Sequence, residues 1–427
     1  MKSMSQLALA AALTAGLATP AFLAPAVAAK KEAPGPKFSP EFLKAAQPAQ
    51  AAIQAKDWAT AETQVAAAEA AAKNDDEKYT VAALRYDFEQ NRIAAQRAAN
   101  PNAPVDEAKL VAPMQALLAN AQTPADAKAR YTFRLGSIAY SRNQFAVAQQ
   151  YLSQAQQMGY KDENLPLLIA QSKVGAGDVR GGLAALDQVI QQSTAAGQKA
   201  PENYYKYAFS KANAAKMRPE AVSWLARYAA AYPTKEVWRA VILNYGLQQG
   251  SIATPDRDQK LDLYRLLRAT GGLADQSLYS EYAFAAKDRG LPAEYLSVLQ
   301  EGIASGKLPA SSAAVKAQLA DAQRQSKAEG SLAPLDTRSR AAADGKLAMQ
   351  TADAYLNQSQ WAKAADLYKV ALSKGGVDAD TVQTRLGIAL ARSGDKAGAQ
   401  AAFGAVKGQP RAEIAQLWTA YVSQSAA

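Results

Sequence analysis

The stretch 129–155, ARYTFRLGSIAYSRNQFAVAQQYLSQA, decides the fold of this chain. It places an aromatic residue, Phe145, three positions ahead of the small residue Ala148. The same arrangement begins at Trp58 and at Trp361, each time at the start of a predicted helix. Recurrence of one short pattern along a chain indicates a repeat architecture, in which each unit packs against its neighbours. Function is then expected to depend on a surface of the array.

Two blocks of the chain, residues 129–192 and 345–407, carry a period that can be counted. The first repeats after 34 residues and the second after 35. Small residues at the matched positions let two antiparallel helices approach closely, and the aromatic residue fills the space beside them. The matched sets are Gly136, Phe145, Ala148, Leu152 and Ala155 with Ala170, Val179, Gly182, Leu186 and Val189, and Ala352, Ala364, Tyr368 and Ala371 with Gly387, Ala399, Phe403 and Val406.

This pattern resembles the tetratricopeptide repeat family, in its secreted bacterial type. The 34-residue unit of that family has Leu-Gly, an aromatic residue and Ala where this chain has Leu135, Gly136, Phe145 and Ala148. The resemblance implies an all-α fold, a right-handed solenoid of antiparallel helix hairpins. From residue 234 to 309 the pattern decays, so the middle is expected to be irregular. Generic Ala-rich helical hairpins are the alternative.

The first residues of the chain predict a secretory signal. A short apolar run follows Lys2, and Ala26-Val27-Ala28 fits a cleavage site. We therefore expect a signal peptide at 1–28, a flexible lead-in rich in Pro and charge at 29–40, a solenoid with irregular hairpins at 41–330 and C-terminal repeats at 331–427. This organisation predicts a periplasmic protein. No later run approaches the about 20 apolar residues of a membrane span, so no stable membrane insertion is expected.

Composition excludes several kinds of active site. The 427 residues include no His and no Cys, which removes Ser-His-Asp triads, Cys-His pairs and thiolate or imidazole metal sites. The formal charge of +10 is mild for this length and interspersed with acids, so nucleic-acid binding is not expected. We predict a protein that is not an enzyme and that has no cofactor and no metal site. The densest acidic cluster, Asn74-Asp75-Asp76-Glu77, fits a helix N-terminus better than a catalytic site.

Residues 201–300 are rich in aromatic side chains and include ten of the 19 Tyr. Such side chains suit the gripping of peptides or glycans, because their rings stack and their hydroxyl groups donate hydrogen bonds. They also suit the filling of space between irregular helices. Both interpretations stay open, and core packing is favoured for any single tyrosine.

The resemblance also implies where a partner binds, because the first helix of each repeat lines the concave face in that family. Carried over position by position, it selects residues of four first helices as partner contacts. These are Arg130, Phe133, Arg134 and Tyr140, then Asn203, Lys206 and Asn213, and near the C-terminus Lys346, Asp353, Arg385 and Arg392. Solvated helix faces are the alternative for most of these charges.

We therefore expect a scaffold or adaptor that binds a protein or peptide in a concave groove, in envelope assembly, export or cell-wall processes. A glycan-binding or glycan-cleaving helical superhelix, directed at peptidoglycan, is the first alternative. A helical subunit of a membrane complex is the second.

Overall fold

A computed structural model describes residues 36–424 of the chain. The predicted signal peptide and most of the predicted lead-in lie outside the described residues. Within residues 36–424 every regular element is helical, and 21 of these elements are α-helices. The predicted all-α fold of antiparallel helix hairpins is confirmed. The described residues divide into two compact units between Val189 and Ile190, so the predicted boundary at 330/331 falls inside the second unit.

The first unit, unit 1, contains α1 to α7 and most of α8. Their bounds are Pro40–Ala55 (α1), Trp58–Ala71 (α2), Asp75–Ala99 (α3), Val111–Ala119 (α4), Ala125–Ser141 (α5), Phe145–Gln157 (α6), Leu165–Gly175 (α7) and Val179–Ala195 (α8), with a 3₁₀ turn at Glu107–Leu110. The acidic cluster caps α3 as predicted: the Asn74 side chain accepts from the Glu77 N–H, and the Glu77 carboxylate accepts from the Asn74 N–H.

The second unit, unit 2, contains α9 to α21. Their bounds are Glu202–Ala214 (α9), Arg218–Ala231 (α10), Lys235–Ile242 (α11), Arg257–Ala269 (α12), Gln276–Asp288 (α13), Pro292–Ala304 (α14), Ala313–Glu329 (α15), Ala333–Ala341 (α16), Lys346–Asn357 (α17), Trp361–Lys374 (α18), Ala379–Ser393 (α19), Lys396–Gly404 (α20) and Arg411–Val422 (α21). A π-helical turn at Leu243–Leu247 continues α11. The last helix, α21, packs back against α10, α12 and α19, so the end of unit 2 contacts its beginning.

Seven hairpins share one turn geometry, in which a left-handed residue precedes the second helix by two positions. The left-handed residues are Lys56, Asn143, Gly177, Lys216, Gly290, Ser359 and Gly394. The N–H of the next residue donates to a carbonyl five residues earlier, as from Asp57 to Ala52 at 2.9 Å and from Gln360 to Tyr355 at 2.8 Å. This is the Schellman closure of a helix C-terminus. Gly290 lies within residues 234–309, so the hairpin geometry persists where the repeat pattern fades.

The small residues of the repeat pattern lie where two helices touch. A Cβ atom on Gly136 would lie 2.7 Å from Cγ of Leu152, and one on Gly387 would lie 2.4 Å from the ring of Phe403. Real Cβ atoms do not approach that closely. The glycines therefore permit the close contact between the first and second helix of a hairpin, as the sequence predicts.

This contact gives a prediction with a control in the same hairpin. Gly387→Ala should lower the free energy of unfolding by about 1–3 kcal/mol, because the buried ring of Phe403 has no room to move away. Gly404→Ala should be neutral or raise it by up to about 1 kcal/mol, since a Cβ there meets nothing within 4 Å. Urea denaturation of both variants measures the two changes in the free energy of unfolding. Equal stability of the Gly387 variant and the wild type would contradict the close packing.

Most aromatic residues of 201–300 are core residues. Tyr205, Tyr245 and Tyr282 are at most 4 % exposed, and Trp238 is 1 % exposed. Tyr207, Phe209 and Tyr232 are partly buried, and Phe284 is 70 % exposed. Core packing is therefore the correct interpretation for most of these rings.

Candidate functional site

Two of the four partner contacts expected on α5, Phe133 and Tyr140, pack against neighbouring aromatic rings. Phe133 stacks on Tyr160 with ring centroids 4.8 Å apart. Tyr140 meets Phe145 edge to face at 5.8 Å. These two rings fill spaces between helices.

The two arginines of α5 differ in exposure. Arg134 is partly buried and directs one guanidinium nitrogen to the Tyr86 hydroxyl at 3.4 Å. Arg130 has a side chain that is 59 % exposed and pairs with Asp126 at 3.0 Å. Only Arg130 of the α5 set presents a mainly exposed side chain.

The three residues expected on α9 are all exposed. Lys206 forms an ion pair with Glu202 at 2.8 Å, and the Tyr228 hydroxyl donates to the same carboxylate. Asn203 and Asn213 lie on the surface of the same helix. The α9 set therefore remains available to a partner.

The four residues expected near the C-terminus separate into two groups. Lys346 and Arg392 are exposed. Asp353 and Arg385 instead pair with each other inside unit 2, between Nη1 of Arg385 and Oδ2 of Asp353 at 2.7 Å. The expectation that these two contact a partner is not supported, because the Arg385 side chain is only 8 % exposed.

A helix from the same unit takes the place of that partner. The second amino nitrogen of Arg385 donates to Asp258 of α12 at 3.0 Å, across 127 residues of chain. The Tyr368 hydroxyl donates to the other oxygen of Asp353 at 2.6 Å. The inner face of α17 and α19 thus binds α12, and this contact closes a groove that the repeat pattern alone would leave open.

The pairing continues into a buried network centred on Arg265 of α12. The Arg265 guanidinium makes two hydrogen bonds to Glu294, at 2.9 and 2.7 Å, and a third to Asp262 at 3.0 Å. The other oxygen of Asp262 accepts from Arg411 of α21 at 3.0 Å. The Tyr282 hydroxyl donates to Glu294 at 2.6 Å. We call Asp258, Asp262, Arg265, Glu294, Asp353, Arg385 and Arg411 the buried network.

The charges of this network stabilise one another. Burial raises the pKa of Glu294, but the Arg265 charge and its hydrogen bonds outweigh burial and leave that pKa below its ordinary value. Burial also lowers the pKa of Arg265, and the Glu294 and Asp262 carboxylates reverse this and hold it well above its usual range. Both groups therefore stay ionised, and the network fixes helices α12, α14, α17, α19 and α21 relative to one another inside unit 2.

An open groove is found in unit 1 at helices α2 to α4, where the sequence predicts no partner contacts. It has a volume of about 970 Å³ and runs along α3 between α2 and α4. Its floor is a stripe of α3 that includes Lys78, Ala82 and Arg85. The volume lies at the upper end of the range for ligand pockets.

The two walls of the groove differ in chemistry. The α2 wall carries Glu62 and Glu69, whose side chains are 49 % and 42 % exposed and which both pair with Arg85. The α4 wall consists mainly of small apolar residues, among them the exposed Ala112 and Ala116. One wall is thus acidic and the other smooth and apolar. We call this feature the unit 1 groove.

The sequence does contain a signal for the groove. Asp75, Lys78, Arg85 and Glu89 recur on α3 at spacings of one helical face, which indicates a continuous charged stripe. It is indistinguishable from a solvated face until the flanking helices are placed. The exposed alanines of α4 carry no pattern of their own.

Among residues 36–424, no group of three or more His, Cys, Asp or Glu is placed to hold a metal ion. In the same described range, no helix is long and apolar enough to cross a membrane.

Comparison with known proteins gives no relative by sequence. No protein-family model matches the chain. No curated protein matches it either.

Similar solved structures are helical proteins at low similarity. The Naa15/Naa10 complex bound to HypK-THB has a chain 14 % identical at a TM-score of 0.30, covering 87 % of this chain and 58 % of its own. The apo form of RapI is 11 % identical in sequence, with a TM-score of 0.28. The match covers 78 % of this chain and 97 % of the RapI chain. The pentatricopeptide repeat protein PPR10 from maize is 14 % identical in sequence, with a TM-score of 0.25. The match covers 87 % of this chain and 61 % of the PPR10 chain. This chain thus spans less than two thirds of the length of the first and the third of these chains. Scores this low carry no argument about function, and the fold rests on the helix hairpins described above.

Proposed function

We propose that this protein is a non-enzymatic helical-repeat adaptor that binds a segment of a partner protein in the unit 1 groove. The observation that carries the proposal is the groove itself, about 970 Å³ between α2 and α4, lined by one acidic and one apolar wall. The first helices of unit 2 do not offer an equivalent surface at Asp353 and Arg385, because α12 covers them. Recognition is therefore proposed for unit 1.

The chemistry of the walls defines the occupant as an amphipathic helix with a small apolar face and a basic flank. Ala112 and Ala116 lie one helical turn apart, and such small residues let another helix pack closely against α4. Glu62 and Glu69 lie two turns apart on α2, and their side chains stay 49 % and 42 % exposed although their carboxylate oxygens pair with Arg85. Basic residues along one flank of the occupant would face these oxygens.

Site-specific photo-cross-linking in cells tests this proposal. A photoreactive amino acid at Ala112 should give a discrete adduct, because this exposed alanine faces the groove. Mass spectrometry of the adduct should map the cross-link to a partner segment with an apolar face and a basic flank. The substitution Ala116→Tyr should then reduce the yield of the adduct, since the ring would fill the groove one turn away.

The control places the same photoreactive group at Ala67, an exposed alanine of α2 that does not line the groove. Identical adducts from both positions would contradict groove binding. So would an adduct from Ala112 that persists at full yield in the Ala116→Tyr variant, provided that circular dichroism shows an unchanged fold.

We also propose that the protein is exported to the periplasm and acts in envelope assembly, export or cell-wall processes. The sequence of residues 1–28 is the only support for this part. N-terminal sequencing of protein recovered from a periplasmic fraction should begin at Ala29. Recovery of the chain from the cytoplasm with Met1 in place would contradict export. Release of soluble fragments from purified peptidoglycan would contradict the non-enzymatic assignment.

A further inference from the structure

A second cavity lies in unit 2, beside the aromatic residue of the repeat pattern, Trp361. Its lining residues come from α12 to α14, from α17 to α19 and from α21. Leu356, Ile388 and Trp418 supply apolar surface, and the remaining lining is polar or charged. Trp361 is only partly buried here, so its ring lines the cavity as well as packing in the scaffold.

The charged lining of this cavity is predominantly basic. It contains three arginines, Arg265, Arg268 and Arg392, and one carboxylate, Glu294. Glu294 is already matched by two hydrogen bonds from Arg265. The one carboxylate of the lining is thus occupied, whereas cationic side chains remain.

Arg392 supplies the clearest of these donors. Among the described residues no carboxylate lies within ion-pair distance of it, and its guanidinium stacks over Trp361 at 5.2 Å from the ring centroid. Arg268 of α12 also lines the cavity, and it donates to Glu301 at 2.7 Å and to Ser297 at 2.9 Å through two of its three nitrogens. Two guanidinium groups therefore line one small space, and that of Arg392 has no carboxylate partner among the described residues.

We propose that this cavity binds a small oxyanion group, a carboxylate or a phosphate, between Arg392 and Arg268. Guanidinium groups suit such oxygens because their planar N–H donors match carboxylate and phosphate geometry. The cavity volume of about 30 Å³ holds two or three water molecules, so it admits the oxygens of one head group and no larger ligand. The bound anion would bridge α12, which carries Arg268, and α19, which carries Arg392. This site is independent of the unit 1 groove.

Calorimetric titration of the full protein with sodium phosphate, and separately with sodium acetate, tests the site. Sodium chloride at equal ionic strength is the reference in each case. We expect saturable binding of at least one oxyanion in the millimolar range or tighter. Arg392→Gln should weaken it by about tenfold or more, because a charge-assisted contact is lost. Binding should also change the fluorescence of the protein, and Trp361→Phe should remove that change while heat of binding persists.

The matched control is Arg324→Gln, which removes an exposed arginine of the same unit that is paired with Asp321. It should leave the affinity unchanged. Arg392 is exposed, so its replacement is not expected to unfold the protein, and circular dichroism verifies this. Equal affinity in the Arg392→Gln and wild-type proteins would overturn the proposal, as would the absence of saturable binding of both anions. A response to phosphate but not acetate assigns the site to phosphate, and the reverse result assigns it to carboxylates.

Discussion

Replacing Asp262 with alanine should lower the free energy of unfolding of unit 2 by about 3–5 kcal/mol, the range for removing one partner of a buried ion pair. Asp262 is fully buried and accepts from Arg265 and Arg411, each at 3.0 Å. Arg265 would keep Glu294, but Arg411 would lose the carboxylate that matches its charge. The cost arises mainly from this buried, unmatched guanidinium, which is only 8 % exposed.

The same substitution should loosen α21 before the rest of unit 2. The Asp262 carbonyl also accepts from the Trp418 indole at 3.3 Å, so two contacts of α21 converge on one residue of α12. Hydrogen exchange should therefore become faster in Arg411–Val422 than in α13 or α14. Denaturant unfolding gives the stability change.

Asp366→Ala provides the control for an ion pair in the same unit. Asp366 pairs with Arg340 on the surface, with a side chain that is 57 % exposed, and such pairs contribute about 0–1 kcal/mol. If the two variants lose equal stability, the buried network is not what holds α21. A buried ion pair is not by itself a source of net stability, since desolvation offsets the attraction. Its effect here is to make one arrangement of five helices strongly preferred.

Local patterns in the sequence predict the hairpins because the responsible contacts are local. The contact of Gly136 with Leu152 spans 16 residues, and the turn at Asn143 lies between them. Helical spacing of small and aromatic residues is therefore enough to place them. The same logic predicts the α3 cap at Asn74, where acceptor and donor are three residues apart.

The buried network could not be predicted in the same way. On α12, the acids and arginines recur on one helical face, which ordinarily indicates a solvated surface. Only the return of α19 and α21 onto α12, more than 120 residues later, buries that face. Arg385 and Asp353 are correctly assigned to first helices by the repeat pattern. In the structure, Arg385 contacts α12, a helix of the same unit. Position in a repeat does not reveal this contact.

Replacing Glu77 with alanine should lower the free energy of unfolding of unit 1 by about 3 kcal/mol or more, because three backbone N–H groups lose a charged acceptor. The carboxylate is fully buried and accepts from Ser39 at 2.6 Å, Lys73 at 2.7 Å and Asn74 at 3.2 Å. Ser39 caps α1, so Glu77 joins the start of α1 to the start of α3. Asp126→Ala, which removes an exposed partner of Arg130, is the control and should change stability by less than about 1 kcal/mol.

The pH dependence of unit 1 distinguishes this role from simple packing. Burial raises the pKa of Glu77, but the hydrogen bonds from Ser39, Lys73 and Asn74 outweigh burial and hold the pKa at about 2, below the ordinary value of 4.5. The unfolded chain therefore binds more protons than the folded chain between these two values. The stabilisation from Glu77 is present above pH 4.5 and is lost as the pH falls towards 2. Thermal unfolding of Glu77→Gln should show a weaker acid dependence in this window than the wild type, because the amide does not titrate. An unchanged slope would mean that other carboxylates determine the acid stability, and that the cap does not depend on the charge of Glu77.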